Sequence, residues 1–185
     1  MKKHLQWLVG FIKCILSGIK SQKKCYVGLN VKVYNRGSIE LGKNVKVRPG
    51  TGLYCNKSCS LILSDNCEIG RDSTIASHNK VFLGKGVLTG PHVFISDHNH
   101  EYQDINVPIY KQGVRMSPGD SIFIDEGSWL GTNVVIVGNV HIGKNCVIGA
   151  NSVVTKDIPD FCVAVGIPAR IVKKYNQTTK IWERV

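Results

Sequence analysis

The chain has 185 residues, 43 % of them hydrophobic, with a formal net charge of +11. That length and apolar content point to one domain with its own core. No stretch reaches the length of a membrane-spanning helix. The basic balance comes with no zinc-finger, RNP or helix-turn-helix signature, so anionic lipid or a phosphorylated small molecule is expected as partner rather than nucleic acid.

The first twenty residues, "MKKHLQWLVGFIKCILSGIK", look superficially like a signal peptide. Lys13 interrupts the apolar run and no small-x-small cleavage site follows, so the segment is expected to be retained. Leu5, Leu8, Ile12, Ile15 and Ile19 recur at spacings of three and four, and Trp7, Phe11 and Leu16 widen the stripe. Six lysines and no acid fall within residues 1–24, which therefore read as a basic amphipathic helical arm. Such a helix either packs on its own oligomer or lies on an anionic membrane surface, and both remain open here. The seven cysteines are an odd number without a CxxC pair, which favours reduced core thiols in a cytoplasmic protein over disulfides.

From residue 25 to 173 the chain repeats itself. Leu29, Leu41, Val47 and Leu53 hold one six-residue register, with Asn35 the exception. Val33, Ile39, Val45 and Thr51 hold a second register four residues on. "IGRDST", "IASHNK" and "LGKGVL" continue it with a two-residue slip near Val81. Between His98 and Asp120 the frame disappears, in "HNHEYQDINVPIYKQGVRMSPGD". A long loop leaving a repeat scaffold is usually functional or disordered. Tyr102, Val107, Pro108, Ile109 and Tyr110 are expected to tether this one as an ordered arm.

After the loop the frame resumes, and Leu130, Ile136, Ile142, Ile148 and Val154 follow one another at intervals of six. The companion positions are Val134, Val140, Cys146, Ser152 and Ile158, and glycine follows the aliphatic at Gly131, Gly143 and Gly149. Period six fits neither a helix nor a single strand. It fits a short strand plus a tight corner, stacked into a parallel β-helix. Pro168, in "GIPAR", turns the chain out of the helix, and residues 174–185 are expected as a short tail.

These phrases resemble the hexapeptide-repeat acyltransferases over roughly residues 27–173. The match is carried by "ISDHNHEY", "GSWLGTNVVI", "IGANSVVTKDIP" and "VGIPARIVKK". The most similar branch holds the maltose, galactoside and nodulation-factor O-acetyltransferases with the capsule and O-antigen O-acetyltransferases. The resemblance implies an all-β, left-handed parallel β-helix. It also implies a homotrimer with active sites between subunits, and acetyl-CoA as donor to a sugar hydroxyl of a surface polysaccharide or its lipid-linked precursor. An antibiotic or small amine as acceptor is the alternative on the same scaffold.

An alcohol attacking a thioester needs a base placed to take its proton. His98 matches the family's catalytic histidine, with His100 the alternative two residues on. Asp97 is expected to point to the opposite face of an extended chain, which leaves Glu101 or a backbone carbonyl to orient the ring. His78, Asn79, Asp97, His100 and Tyr102 are expected on the acceptor side. For coenzyme A the resemblance designates Trp129 near the thioester, Gly131 and Thr132 at a corner, and Ala150, Thr155 and Lys156 along the groove. Arg170 and Lys173 would meet the phosphates. His92 and His141 are expected to be surface decoration, and His4 lies in the basic arm. A γ-carbonic-anhydrase-like zinc site needs three converging histidines. Here the spacing is H-x-H at 98 and 100, with no partner for His92, so no metal is expected. A scaffold that only binds is the remaining rival.

Overall fold

The computed structural model describes the backbone from residue 2 and side chains from residue 7, so the side chains of His4 and Leu5 lie outside what is described. Strands of two to four residues wind a left-handed parallel β-helix of about 7 turns. The first face carries Ser38–Leu41, Ser60–Leu63, Lys80–Leu83, Ser121–Ile124 and Val140–Ile142. The second runs from Tyr26–Val27 to Cys162–Val165, and the third from Lys32–Asn35 to Val153–Val154.

The repeat positions fill the interior. Leu130, Ile136, Ile142, Ile148 and Val154 are all 1 % exposed or less, and their companions Val134, Val140, Cys146, Ser152 and Ile158 are buried with them. Like residues stack because neighbouring coils lie about 4.8 Å apart, so each aliphatic packs on its own kind above and below. Truncating one, as in Ile136→Ala, is expected to cost about 2–5 kcal/mol. Corners take the left-handed conformation at Asn44, Asn66, Asn133, Asn145 and Asn151. Asparagine tolerates that region better than most side chains. At Gly131 the reason for glycine is space: a Cβ there would sit 2.7 Å from the backbone nitrogen of Ala150 in the next coil.

The early register departs from a strict six. Val27 pairs with Val47 and Leu61 with Val81, twenty residues apart, whereas Ile136 pairs with Val154 at eighteen. The long coils thus hold two residues beyond three phrases, or four where Ile39 pairs with Leu61 and Val47 with Ile69 at twenty-two. Leu29, expected in the core, is 73 % exposed beside the left-handed Asn30 at a corner. Val27 and Val31 point inward instead.

The loop leaves after Phe94–Ser96 on the third face and returns at Ser121 on the first. Asn99–His100 pairs antiparallel with Val114–Arg115, and Ile109–Gln112 makes one helical turn. The expected apolar tethers face outward: Tyr102, Ile109 and Tyr110 are all more than half exposed. Polar bonds order the arm, with the Gln112 amide donating to the carbonyls of Asp104 (2.8 Å) and Val107 (2.6 Å).

At the other end Arg170–Asn176 runs antiparallel to Cys162–Val165, and Ile181–Arg184 adds a further strand. Residues 174–185, expected as a short tail, form a hairpin on the second face together with residues 170–173. The N-terminal helix, Lys2–Leu16, packs on the first coil with Gly10 and Cys14 buried in the contact. A Cβ on Gly10 would lie 2.9 Å from the nitrogen of Val27. No described helix is long and apolar enough to cross a membrane. All seven cysteines are free and buried, and desolvation pushes the Cys67 and Cys146 thiols up to about 11, far from nucleophilic thiolates.

Candidate active site

The corner between the third and first faces carries the chemistry. Ser96 pairs with Ala76, so the residues after Ser96 sit over those that end the previous coil. Those are Ser77, His78 and Asn79. The Asp97 carboxylate descends onto them and accepts the backbone N–H of His78 (2.8 Å), the N–H of Asn79 (2.9 Å) and the Ser77 hydroxyl (3.1 Å). Asp97 is 1 % exposed. Successive N–H groups at such a turn form an anion-binding concavity.

His98 completes the arrangement. Its Nδ1 lies 3.1 Å from Asp97 Oδ1, and the Ser96 hydroxyl donates to its carbonyl (3.0 Å). An ionised carboxylate only accepts, so Nδ1 carries the proton and Nε2 presents a lone pair. Burial alone would raise the Asp97 pKa. The hydrogen bonds from His98, His78, Asn79 and Ser77 outweigh it and hold the carboxyl below its usual range. Asp97 therefore stays charged beneath the ring and can stabilise an imidazolium.

The His78 ring rests on His98, with centroids 3.6 Å apart. Burial, and then the neighbouring His98, lower the His78 pKa, so it stands as a neutral imidazole. Its Nδ1 is buried with no hydrogen-bond partner. One ligand atom each from His78, Asp97 and His98 lies within 4.8 Å of the others. A cation there would compete with four hydrogen-bond donors for a carboxylate that has about four acceptor sites.

Several expectations are corrected here. Asp97 does not point away from His98 or toward an acceptor, because the extended strand ends at Ser96 and Ser96 and Asp97 are buried in succession. Glu101 does not orient the ring. Its carboxylate accepts the N–H groups of Tyr102 (3.0 Å) and Gln103 (3.2 Å) and shapes its own loop. His100 is exposed on the hairpin, with Nδ1 3.3 Å from the carbonyl of Gly113. Tyr102 lies outward, 6.0 Å from the guanidinium of Arg115. The Asn79 amide donates to the Asp120 carbonyl (2.5 Å) and so ties the loop's exit to its entrance.

The residues designated for coenzyme A are spread over the surface, most of them away from the His98 corner. Trp129 is 47 % exposed on the second face, between Leu88 and Val147. Buried Gly131 and exposed Thr132 and Ala150 mark the corner between the second and third faces. Thr155 and Lys156 follow the last strand of the third face, on the corner that also carries His98. Arg170 and Lys173 are exposed on the reversing strand.

The family model "Bacterial transferase hexapeptide (six repeats)" matches residues 121–156. A relative named putative lipopolysaccharide biosynthesis O-acetyl transferase WbbJ, from Escherichia coli, is 36 % identical over 156 residues, covering 82 % of this chain and 80 % of its own. The chain belongs to the hexapeptide-repeat O-acetyltransferase family. It is an acyltransferase. The galactoside O-acetyltransferase of Lactococcus lactis is 37 % identical over 137 residues, 74 % of this chain and 56 % of that enzyme. A solved maltose O-acetyltransferase from Clostridium difficile superposes with a TM-score of 0.58 at 30 % identity, covering 86 % of this chain and 71 % of that one. The N-acyltransferase AntD from Bacillus cereus, solved as a variant with a dTDP-amino-sugar and coenzyme A, shares the fold at TM-score 0.72 and 18 % identity, over 91 % of each chain. Asp97 is the site residue whose supporting role the sequence reading missed. The available signal was its position, twenty residues after Ser77, at a corner where Ser77 already ends a coil.

Proposed function

We propose that this acyltransferase moves the acetyl group of acetyl-CoA to a sugar hydroxyl during assembly of a surface polysaccharide or its lipid-linked precursor. The observation that carries the proposal is His98, held by a buried and charged Asp97 where the chain leaves the β-helix. In this reading His98 Nε2 takes the proton of the acceptor hydroxyl as its oxygen attacks the thioester carbonyl. The C–S bond of the tetrahedral intermediate then breaks. The imidazolium returns the proton to the departing sulfur, giving the sugar ester and free coenzyme A. A backbone N–H at a repeat corner would receive the developing oxyanion. Asp97 acts through the ring: it fixes the tautomer and stabilises the imidazolium.

The reading includes a homotrimer. His98 stands on one corner while Gly131, Thr132 and Ala150 stand on another, so a donor groove meets the base when one subunit's corner faces the next subunit's. Trp129 would then flank the thioester arm, Thr155 and Lys156 line the groove, and Arg170 and Lys173 take the phosphates. The surface-polysaccharide role is supported by the name of the Escherichia coli relative. This reading puts the reaction in the cytoplasm, where a lipid-linked acceptor would be met at the inner face of the membrane. Release of thiol from acetyl-CoA, measured across purified saccharides and lipid-linked intermediates, tests it. Turnover with one saccharide class is expected, and no thiol release above hydrolysis with any of them would contradict it.

A further inference from the structure

Four large apolar side chains of the N-terminal helix stand about half exposed. Leu8, Phe11, Ile12 and Ile15 recur at helical spacing and are 47–61 % exposed, while Gly10 and Cys14 pack on the opposite side. Where this stripe meets the first coil there is a groove of about 760 Å³. Leu8 and Phe11 line its apolar wall, and Lys23, Lys24 and Lys43 line its rim. Along the sequence the cations run far ahead of the acids: residues 1–39 carry seven lysines and one arginine and no acid. The first acid, Glu40, lies 3.2 Å from the amine of Lys20.

We propose that this end of the molecule is a seat for an anionic phospholipid bilayer. The stripe of Leu8, Phe11, Ile12 and Ile15 enters the acyl region, the groove takes an acyl chain, and Lys23, Lys24 and Lys43 meet the headgroup phosphates. An apolar helical face flanked by lysines is the pattern of a helix lying in the membrane plane. Charge decides between a bilayer and a second copy of the chain. A second copy would bring the same lysine-rich surface against itself and set like charges together, which is costly. An anionic bilayer supplies the opposite sign, and each lysine near it adds to the attraction. This seat stands at the first coil and does not depend on which acceptor the enzyme uses.

Vesicle co-sedimentation tests the proposal on the full chain, with phosphatidylcholine vesicles against vesicles containing phosphatidylglycerol. Low-salt binding to the anionic vesicles is expected to be at least about tenfold tighter, and to weaken at high salt. Ile12→Glu/Ile15→Glu removes the apolar stripe, and Lys23→Glu/Lys43→Glu reverses the rim. Each pair is expected to lower vesicle affinity by about tenfold or more while thiol release with a soluble acceptor is kept. Equal binding to both vesicle types, or none at low salt, would overturn the proposal. So would a solution mass by light scattering that falls in Ile12→Glu/Ile15→Glu, since the stripe would then join copies of the chain.

Discussion

His98 and His141 each meet an aspartate at hydrogen-bond distance, 3.1 Å to Asp97 in one case and 2.8 Å to Asp125 in the other. By length alone the second pair is the stronger. Their surroundings reverse that order. The His98 and Asp97 side chains are 14 % and 0 % exposed, against 56 % and 27 % for His141 and Asp125. Asp97 also receives two backbone N–H groups and a hydroxyl from the coil before it. His141 lies on an open sheet face with the edge of Phe123 beside it. A pair on such a face meets water and salt and contributes about 0–1 kcal/mol. A pair sunk into a corner has a fixed tautomer, a fixed charge and one open nitrogen. The β-helix supplies many outward faces of the first kind and, where the loop leaves, a built corner of the second kind.

The comparison is broken most directly at His98. His98→Ala is expected to lower kcat by about 10²–10⁴-fold, the range of a general base, with the acyl-CoA dissociation constant nearly unchanged. Steady-state kinetics alongside calorimetric titration with coenzyme A reads both quantities. His100→Ala, on the exposed hairpin, should cost far less and act through the acceptor's KM. Asp97→Asn keeps the shape but puts an amide where four donors converge. It is expected to lower kcat by at least about tenfold, as a supporting residue does. It should also destabilise the fold by about 1.5–3 kcal/mol in denaturant titrations at neutral pH.

Acid sharpens the contrast next. The folded-state pKa of His78 is lowered by burial and by His98, so the unfolded chain takes up its proton first. Stability should therefore decline as pH falls below the ordinary histidine value of about 6.5. Asp97 adds a second loss at lower pH. Its folded pKa lies below the unfolded one, so its contribution is present above the ordinary carboxylate value of about 3.9 and disappears as pH falls through the folded value. His78→Gln should remove the first decline and leave the second, as read by denaturation midpoints across pH. The smallest effect belongs to the exposed pair. Asp125→Asn should shift stability by about 1 kcal/mol or less and leave kcat within about twofold. A larger loss at Asp125 would mean that the outer face takes part in the reaction.

Much of this was legible in the chain. Leu130 and its successors repeat without a slip, and an unbroken period leaves one geometry that buries every member. The loop and His98 were legible as the place where that period stops. The misread parts share a cause: alternation and period hold only while the backbone stays regular. Leu29 fell at a corner because the early coils carry two to four extra residues, which a strict count of six cannot register. Asp97 turned under His98 because the strand had already ended. Glu101 and the loop's apolar residues were assigned by type. Their partners depend on how the hairpin closes, which Gln112 and Asn79 fix through bonds to distant carbonyls.

The central claim is that Asp97 and His98 act as one unit, with Asp97 working only through the ring. A double-mutant cycle in kcat tests it, using His98→Ala, Asp97→Asn and the two combined. The expected result is that Asp97→Asn costs at least about tenfold beside His98 and nothing further once His98 is alanine. If Asp97→Asn lowers the residual rate of His98→Ala by the same factor as it lowers the wild type, the two residues act independently, and the histidine–aspartate account of this corner is wrong.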